Sequence, residues 1–147
     1  MTSIFTRIAR KELPAHVVWE DGEFMALLAL QPVSSGHLLL VPKEQVDSIY
    51  NLTERAYHRL WQIVRFLEAP LRRAIGAPRI GLAFEGFGIA HAHVHLIPVY
   101  RRGDLDPRRA TTAAFEDLRP IAERIRNEIA GEPGLSPGGV PQIAATP

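Results

Sequence analysis

Three histidines alternate with apolar residues in the run Ile89-Ala90-His91-Ala92-His93-Val94-His95-Leu96-Ile97-Pro98, and they are half of the six histidines in the chain. Side chains of a β-strand point alternately to opposite faces, so His91, His93 and His95 share one face while Ala92, Val94 and Leu96 share the other. A half-buried strand ordinarily offers solvent a mixture of Thr, Lys, Glu and Ser. A row of imidazoles asks for a chemical reason, and three are open. The histidines could be structural, hydrogen-bonded within the sheet. They could bind a metal: His91 and His95 stand ~13 Å apart along a strand, too far to share one ion at Zn–N distances of ~2 Å, but a pair such as His93 and His95 could hold an ion with a carboxylate or His37. Or they could perform nucleophilic catalysis at phosphorus.

The third reading uses the spacing most fully. A neutral imidazole, with an ordinary pKa of ~6.5, is already nucleophilic at neutral pH and needs no separate base. It needs orientation instead: one ring nitrogen held as a donor to a backbone carbonyl, so that the other aims its lone pair at the substrate. Neighbouring histidines can then donate to phosphate oxygens as charge gathers there. The turn Glu85-Gly86-Phe87-Gly88 would let a phosphate approach backbone N–H groups closely.

The surrounding elements must position this row. Residues 16–20 and 23–30 read as strands joined by Asp21-Gly22, a strong hairpin signal. After a loop containing Pro32, Ser34, Ser35 and Gly36, residues 37–41 read as a buried strand stopped by Pro42. Leu60, Ile63, Val64, Leu67, Leu71 and Ile75 recur at helical spacing, with Thr53 as N-cap and Gly76 and Pro78 as the stop; Pro70 is expected to kink or split this helix. Residues 79–85 form a fourth strand, paired with a fifth from about Ala92 to Tyr100 that carries the histidines. A second helix lies between Ala113 and Ala130, its regular part starting at Pro120, with Leu118, Ile121, Ile125 and Ile129 inward. The sum is an α+β fold: a five-stranded antiparallel sheet with two helices on one face and the other face open for ligands. One domain spans 1–130, and the Gly/Pro-rich segment 131–147 reads as a flexible tail.

Composition narrows the function further. With 147 residues and 46% hydrophobic content the chain suits one globular domain. Its 17 basic and 16 acidic residues nearly cancel, so the basic field needed to track a long nucleic acid is missing, while a small anionic ligand remains open. The absence of cysteine removes thiolate catalysis, thiolate zinc sites and disulfides, which suits a reducing compartment. Met1 to Lys11 carry charges where a signal peptide needs an apolar core, and no apolar run approaches the ~20 residues of a membrane span. The expectation is a cytoplasmic protein with no membrane partner. Arg101, Arg102, Arg108 and Arg109 could grip a polyphosphate; a solvated loop balanced by Asp104 and Asp106 is the favoured reading.

The run His91-Ala92-His93-Val94-His95-Leu96-Ile97 resembles the signature of the histidine triad (HIT) family, three histidines alternating with hydrophobic residues and followed by two more. Two further blocks are similar to its nucleotide-binding branch: Ile4 to Ala15 with Val17 to Asp21, and Pro32-Val33-Ser34-Ser35-Gly36-His37-Leu38-Leu39-Leu40-Val41-Pro42-Lys43. The similarity runs from about Ser3 to Tyr100. It implies five antiparallel strands with two helices, usually paired as a homodimer, and hydrolysis at the α-phosphate of a nucleotide, such as a dinucleoside polyphosphate or a nucleoside phosphoramidate. By motif position His93 would be the nucleophile, carrying a covalent nucleotidyl intermediate. His95 would contact the phosphates and leaving group, with His91 and His37 supporting the site. Phe5, Ile8, Leu13, Leu27 and Leu39 match the positions that sandwich the base, a purine by expectation, and core packing is their alternative role. No metal site and no cofactor are implied. His95 stands where the nucleotidyltransferase branch usually has Gln, which points to water as acceptor. Three departures stand out: Ala29 replaces the Asp or Asn that holds the ribose, Phe84 replaces the Asn of an Asn-x-Gly element, and Phe87 and Gly88 stand nearest the places of a Gln and a Ser. The alternatives to hydrolysis are a nucleotide-binding protein with little turnover and a histidine-ligated metallohydrolase.

Overall fold

Asp21 closes the first turn with its own carboxylate, whose Oδ1 accepts from the N–H groups of Glu23 at 2.8 Å and Phe24 at 2.7 Å. This turn joins β1 (Val17–Glu20) to β2 (Phe24–Leu28). With β3 (Leu38–Pro42), β4 (Arg79–Ala83) and β5 (Val94–Val99) they form one antiparallel sheet in the order β1-β2-β3-β5-β4. Four of the strands are shorter at one or both ends than their sequence pattern suggests, while β3 keeps its length but is shifted by one residue and includes Pro42. The helices are α1 (Ile4–Ala9), α2 (Glu54–Ile75) and α3 (Arg119–Ala130). The computed structural model describes residues 1–135, and among these no helix is long and apolar enough to cross a membrane.

Alternation along the strands creates two cores. Phe24, Ala26, Leu28, Leu38, Leu40, Val94 and Leu96 face α2 and α3 and pack on Leu60, Ile63, Leu67, Leu71, Ala122 and Ile125. Met25, Leu27 and Val41 face the other way and pack on Phe5 and Ile8 of α1. That face is therefore not simply open, as the sequence pattern suggests. A six-residue helix covers part of it and leaves a cleft beside it, and its two inward residues are too few to register as a period. Ser3 caps it, its Oγ accepting from Thr6 N–H at 3.1 Å.

Pro70 neither splits nor ends α2, which runs unbroken for 22 residues between its Thr53 N-cap and the left-handed Gly76. Proline cannot return a hydrogen bond to the carbonyl four residues back, but Pro70 is buried together with Leu67 and Leu71, and burial of that apolar face offsets the loss. At the other end of the chain, α3 begins at Arg119 with Pro120 in its first turn, close to expectation. The flexible tail expected from Gly131 opens with packed residues: Leu135 joins the helix-side core and Glu132 pairs with Arg73. The rest of that segment, 136–147, lies outside the described residues.

β5 is also shorter than the histidine run suggests. It begins at Val94, so His91 and His93 precede the strand. Pro42 is the reason. It ends β3 without an N–H to continue the ladder, and the chain turns away so that Ala92 N–H bonds the Val46 carbonyl at 2.7 Å. The face assignment survives, since Ala92 and Val94 enter the helix-side core while His93 and His95 line the opposite cleft. His91 does not reach solvent at all; it is 0% exposed.

Gly36 sets the approach of β3 to this region. Its φ is +90°, and a Cβ there would stand 2.5 Å from Cγ1 of Ile75. Gly36→Ala is expected to lower stability by about 1–3 kcal/mol, read as a lower urea midpoint at unchanged m-value. An unchanged midpoint would show that the loop relaxes freely around the methyl.

Candidate active site

A cleft of about 560 Å³ runs across the α1 side of the sheet. Phe5, Ile8, Leu13, Leu27 and Leu39 line its apolar part, and His37, His93 and His95 line the rest. The structure thus brings together in one cavity every residue expected there except His91, which lies beneath the surface against the edge of Phe5, ring centroids 5.5 Å apart. Phe5 also meets the His93 ring at 5.3 Å, so the apolar and imidazole regions share a wall.

Hydrogen bonds fix the tautomer of each imidazole, because a carbonyl can only accept and an amide N–H can only donate. His93 Nδ1 lies 2.8 Å from the His91 carbonyl; it carries the proton, and Nε2 keeps the lone pair. His91 Nε2 donates to the Pro42 carbonyl at 2.7 Å, leaving Nδ1 to accept from Ser3 Oγ at 2.5 Å. Val33 N–H donates to His37 Nδ1 at 3.0 Å, so His37 Nε2–H donates to His95 Nδ1 at 2.8 Å. His95 is then left with its proton on Nε2. The relay presents two imidazoles to the cleft with opposite character, a lone pair on His93 and an N–H on His95.

Burial disfavours the charged form of His37, His91 and His95. It pushes His37 down to about 3, helped by the nearby charge sites of His95 and His93. It likewise pushes His95 down to about 4, with His93 adding to the effect. His91 is also lowered by burial, against the opposing pull of the Pro42 carbonyl.

Several contributors escape the sequence pattern. Ser3 acts both as helix cap and as the donor to His91; a Ser three residues before a short apolar pair is the only signal for it. The Pro42 carbonyl and the Val33 N–H are backbone groups with no side-chain signature. Ala29 forms part of the cleft wall with a methyl group alone. Phe84 packs edge-on against Tyr50, centroids 5.5 Å apart, and Phe87 is exposed between Gly86 and Gly88, both with left-handed φ. In that turn the N–H of Ile89 bonds the Phe87 carbonyl and the N–H of His91 bonds the Ile89 carbonyl, so these two donors are occupied. Among the described residues no group of three or more His, Cys, Asp or Glu side chains is arranged to hold a metal, and His37 and His95 spend a ring nitrogen each on one another. The arginine cluster is the ion-paired loop: Asp104 accepts from the N–H of Tyr100 and Arg101 and pairs with Arg109, and Asp106 pairs with Arg108.

The neutral rings have a consequence for stability. In the unfolded chain histidine titrates near ~6.5, whereas folded His37 and His95 do so at about 3 and about 4. The unfolded state therefore binds protons that the folded state refuses. Their contribution is fully present above about pH 6.5 and is lost as pH falls towards the folded values, with a slope of up to about 1.4 kcal/mol per pH unit for each group. Urea midpoints measured at pH 7 and pH 5 are expected to fall more for the wild type than for His37→Gln. An equal fall would show that His37 is not held neutral.

Comparison with known proteins places this geometry in a family. The HIT domain matches residues 10–102. The chain is 28% identical over 136 residues to the protein Hit of Bacillus subtilis, covering 86% of this chain and 94% of the relative. It is 27% identical over 103 residues to an adenosine 5'-monophosphoramidase of Schizosaccharomyces pombe, covering 67% of this chain and 74% of the relative. The crystal structure of a hypothetical histidine triad nucleotide-binding protein from Sulfolobus tokodaii superimposes with a TM-score of 0.76 at 28% identity, over 86% of this chain and 91% of that one. The matched region holds the histidine row and His37, and the chain belongs to the HIT domain family.

Proposed function

We propose that this protein is a nucleotide hydrolase that cleaves at the α-phosphate of a nucleoside monophosphate derivative, a phosphoramidate or a dinucleoside polyphosphate, through a covalent nucleotidyl intermediate on His93. The observation that carries this reading is the 2.8 Å bond from His93 Nδ1 to the His91 carbonyl. It fixes the protonated nitrogen and leaves Nε2 as a nucleophile on a ring that lines the cleft. The relative from Schizosaccharomyces pombe, an adenosine 5'-monophosphoramidase, supports the same chemistry.

The reaction has two steps. His93 Nε2 forms a bond to the α-phosphorus as the bond to the leaving group breaks; a polyphosphate leaves as the anion, and an amine leaves with the bonding pair and a proton taken from water. The positive charge on the ring is shared through Nδ1–H with the His91 carbonyl. A water oxygen then attacks phosphorus, the P–N bond breaks, its electron pair returns to Nε2, and the water proton passes to solvent. His95 Nε2–H donates to the phosphoryl oxygens as they gain charge in both steps. His37 and His91 act as positioning residues, and Phe5, Ile8, Leu13, Leu27 and Leu39 take the base, a purine. No metal or cofactor enters either step.

Quenched mass spectrometry during turnover of adenosine phosphoramidate is expected to find adenylylated His93, and His93→Ala is expected to lose on the order of 10³-fold or more in kcat/KM with EDTA present. A His93→Ala protein as fast as wild type would overturn the mechanism. Binding of adenosine monophosphate with no turnover of any leaving group would identify a nucleotide-binding protein instead.

The working unit in this reading is a homodimer. α3 covers the β1 edge, with Arg126 Nε donating to the Val17 carbonyl at 2.9 Å. β4 is the other edge of the sheet, and its Leu82 is exposed. An uncovered edge strand is a pairing surface, and a second copy of the chain would cover it. Light scattering is expected to give a dimer mass for the wild type and a shift towards monomer for Leu82→Lys; a monomeric wild type would sink the pairing.

A further inference from the structure

Polar side chains are scarce in the cleft. Apart from His37, His93 and His95, the one polar residue lining it among the described residues is Gln31. A nucleotide with its base among Phe5, Ile8 and Leu13 and its phosphorus at His93 places a sugar between them, and the vicinal hydroxyls of that sugar need partners once water is displaced. Ala29 offers them a methyl group. Gln31, two residues further along the same loop, offers an amide.

The amide suits the task. It presents a carbonyl acceptor and an NH₂ donor on one plane, so it can accept from one hydroxyl while donating to its neighbour. It is uncharged, so it adds no repulsion towards the substrate phosphates. Gln31 is exposed at the cleft wall and makes no hydrogen bond to the rest of the described chain.

The backbone on either side of it, by contrast, is held in place. Ala29 N–H bonds the His37 carbonyl at 3.0 Å, Ala113 N–H bonds the Leu30 carbonyl at 3.0 Å, and Thr111 N–H bonds the Pro32 carbonyl at 3.1 Å. Pro32 restricts Gln31 to extended backbone as well. A pinned loop that holds one unpartnered amide at the wall of an otherwise apolar and imidazole-lined cleft is suited to recognition. The pins at Leu30 and Pro32 come from residues 111–113, beyond the 10–102 region that matches the HIT domain.

We infer that Gln31 is the residue of this chain that reads the sugar hydroxyls of the bound nucleotide, making it a specificity-determining residue for ribonucleotides. The inference rests on the nucleotide reading above. Titration calorimetry with adenosine monophosphate and with 2',3'-dideoxyadenosine monophosphate tests it on the full chain. Wild type is expected to bind the ribonucleotide about tenfold more tightly, the worth of one to two hydrogen bonds. In Gln31→Ala that preference is expected to shrink to about twofold or less, and in Gln31→Glu, which keeps an acceptor at the same reach, much of it is expected to remain. A preference that survives intact in Gln31→Ala, or one that is absent from wild type, overturns this inference and leaves the hydrolase reading standing. Failure of wild type to bind either nucleotide, together with no adenylylated His93, overturns both.

Discussion

Four buried or half-buried imidazoles, each with one donor and one acceptor nitrogen, share one set of hydrogen bonds that leaves only a nitrogen of His93 and one of His95 to the cleft, and this constraint organises the structure around it. A neutral histidine cannot donate from both nitrogens or accept at both. Backbone groups at the two ends of the relay therefore decide every proton between them. The Pro42 carbonyl forces the proton of His91 onto Nε2, and the Val33 amide forces that of His37 onto Nε2 as well. The His91 carbonyl does the same for His93 at Nδ1. A different backbone path at Val33 would turn the N–H that His95 shows the cleft into a lone pair, and one at the His91 carbonyl would turn the lone pair of His93 into an N–H.

Prolines and glycines hold that backbone path. Pro42 closes the β3 ladder for want of an N–H, and the carbonyl it leaves unpaired by the sheet becomes the acceptor for His91. Gly36, in the left-handed region and pressed against Ile75, brings the start of β3 close enough to β5 for His37 to meet His95. Ser3 ties α1 to the same network, since its hydroxyl caps the helix and donates to His91. The short helix that walls the apolar part of the cleft is thus anchored by the chemistry of its imidazole part.

Desolvation gives the network its electrostatic character. In water these rings would be partly protonated near neutral pH. Burial disfavours the charged form, and neighbouring histidines disfavour it further. With His37 and His95 held neutral, His95 stays a hydrogen-bond donor without a competing charge beside the lone pair that the His91 carbonyl leaves on His93. The same burial ties folding to pH, so the property that suits the site to phosphorus chemistry also limits the protein in acid.

Much of this was legible in the chain alone. The period-2 pattern gave five antiparallel strands, the 3.6-residue pattern gave α2 and α3, and the alternation of His91, His93 and His95 put the chemistry on one face, because side-chain direction in a strand depends only on parity. The apolar residues of the cleft followed from motif position. Residues 91–93 lying outside β5, the unbroken helix through Pro70, and the six-residue α1 were not legible, since each depends on what packs against it rather than on local pattern. Nor were the tautomers. Which nitrogen of a histidine carries the proton is settled by backbone groups as far away in sequence as Pro42 is from His91, and only the folded chain brings those together. Residue types therefore determined which chemistry was available, and tertiary contacts decided which atom performs it.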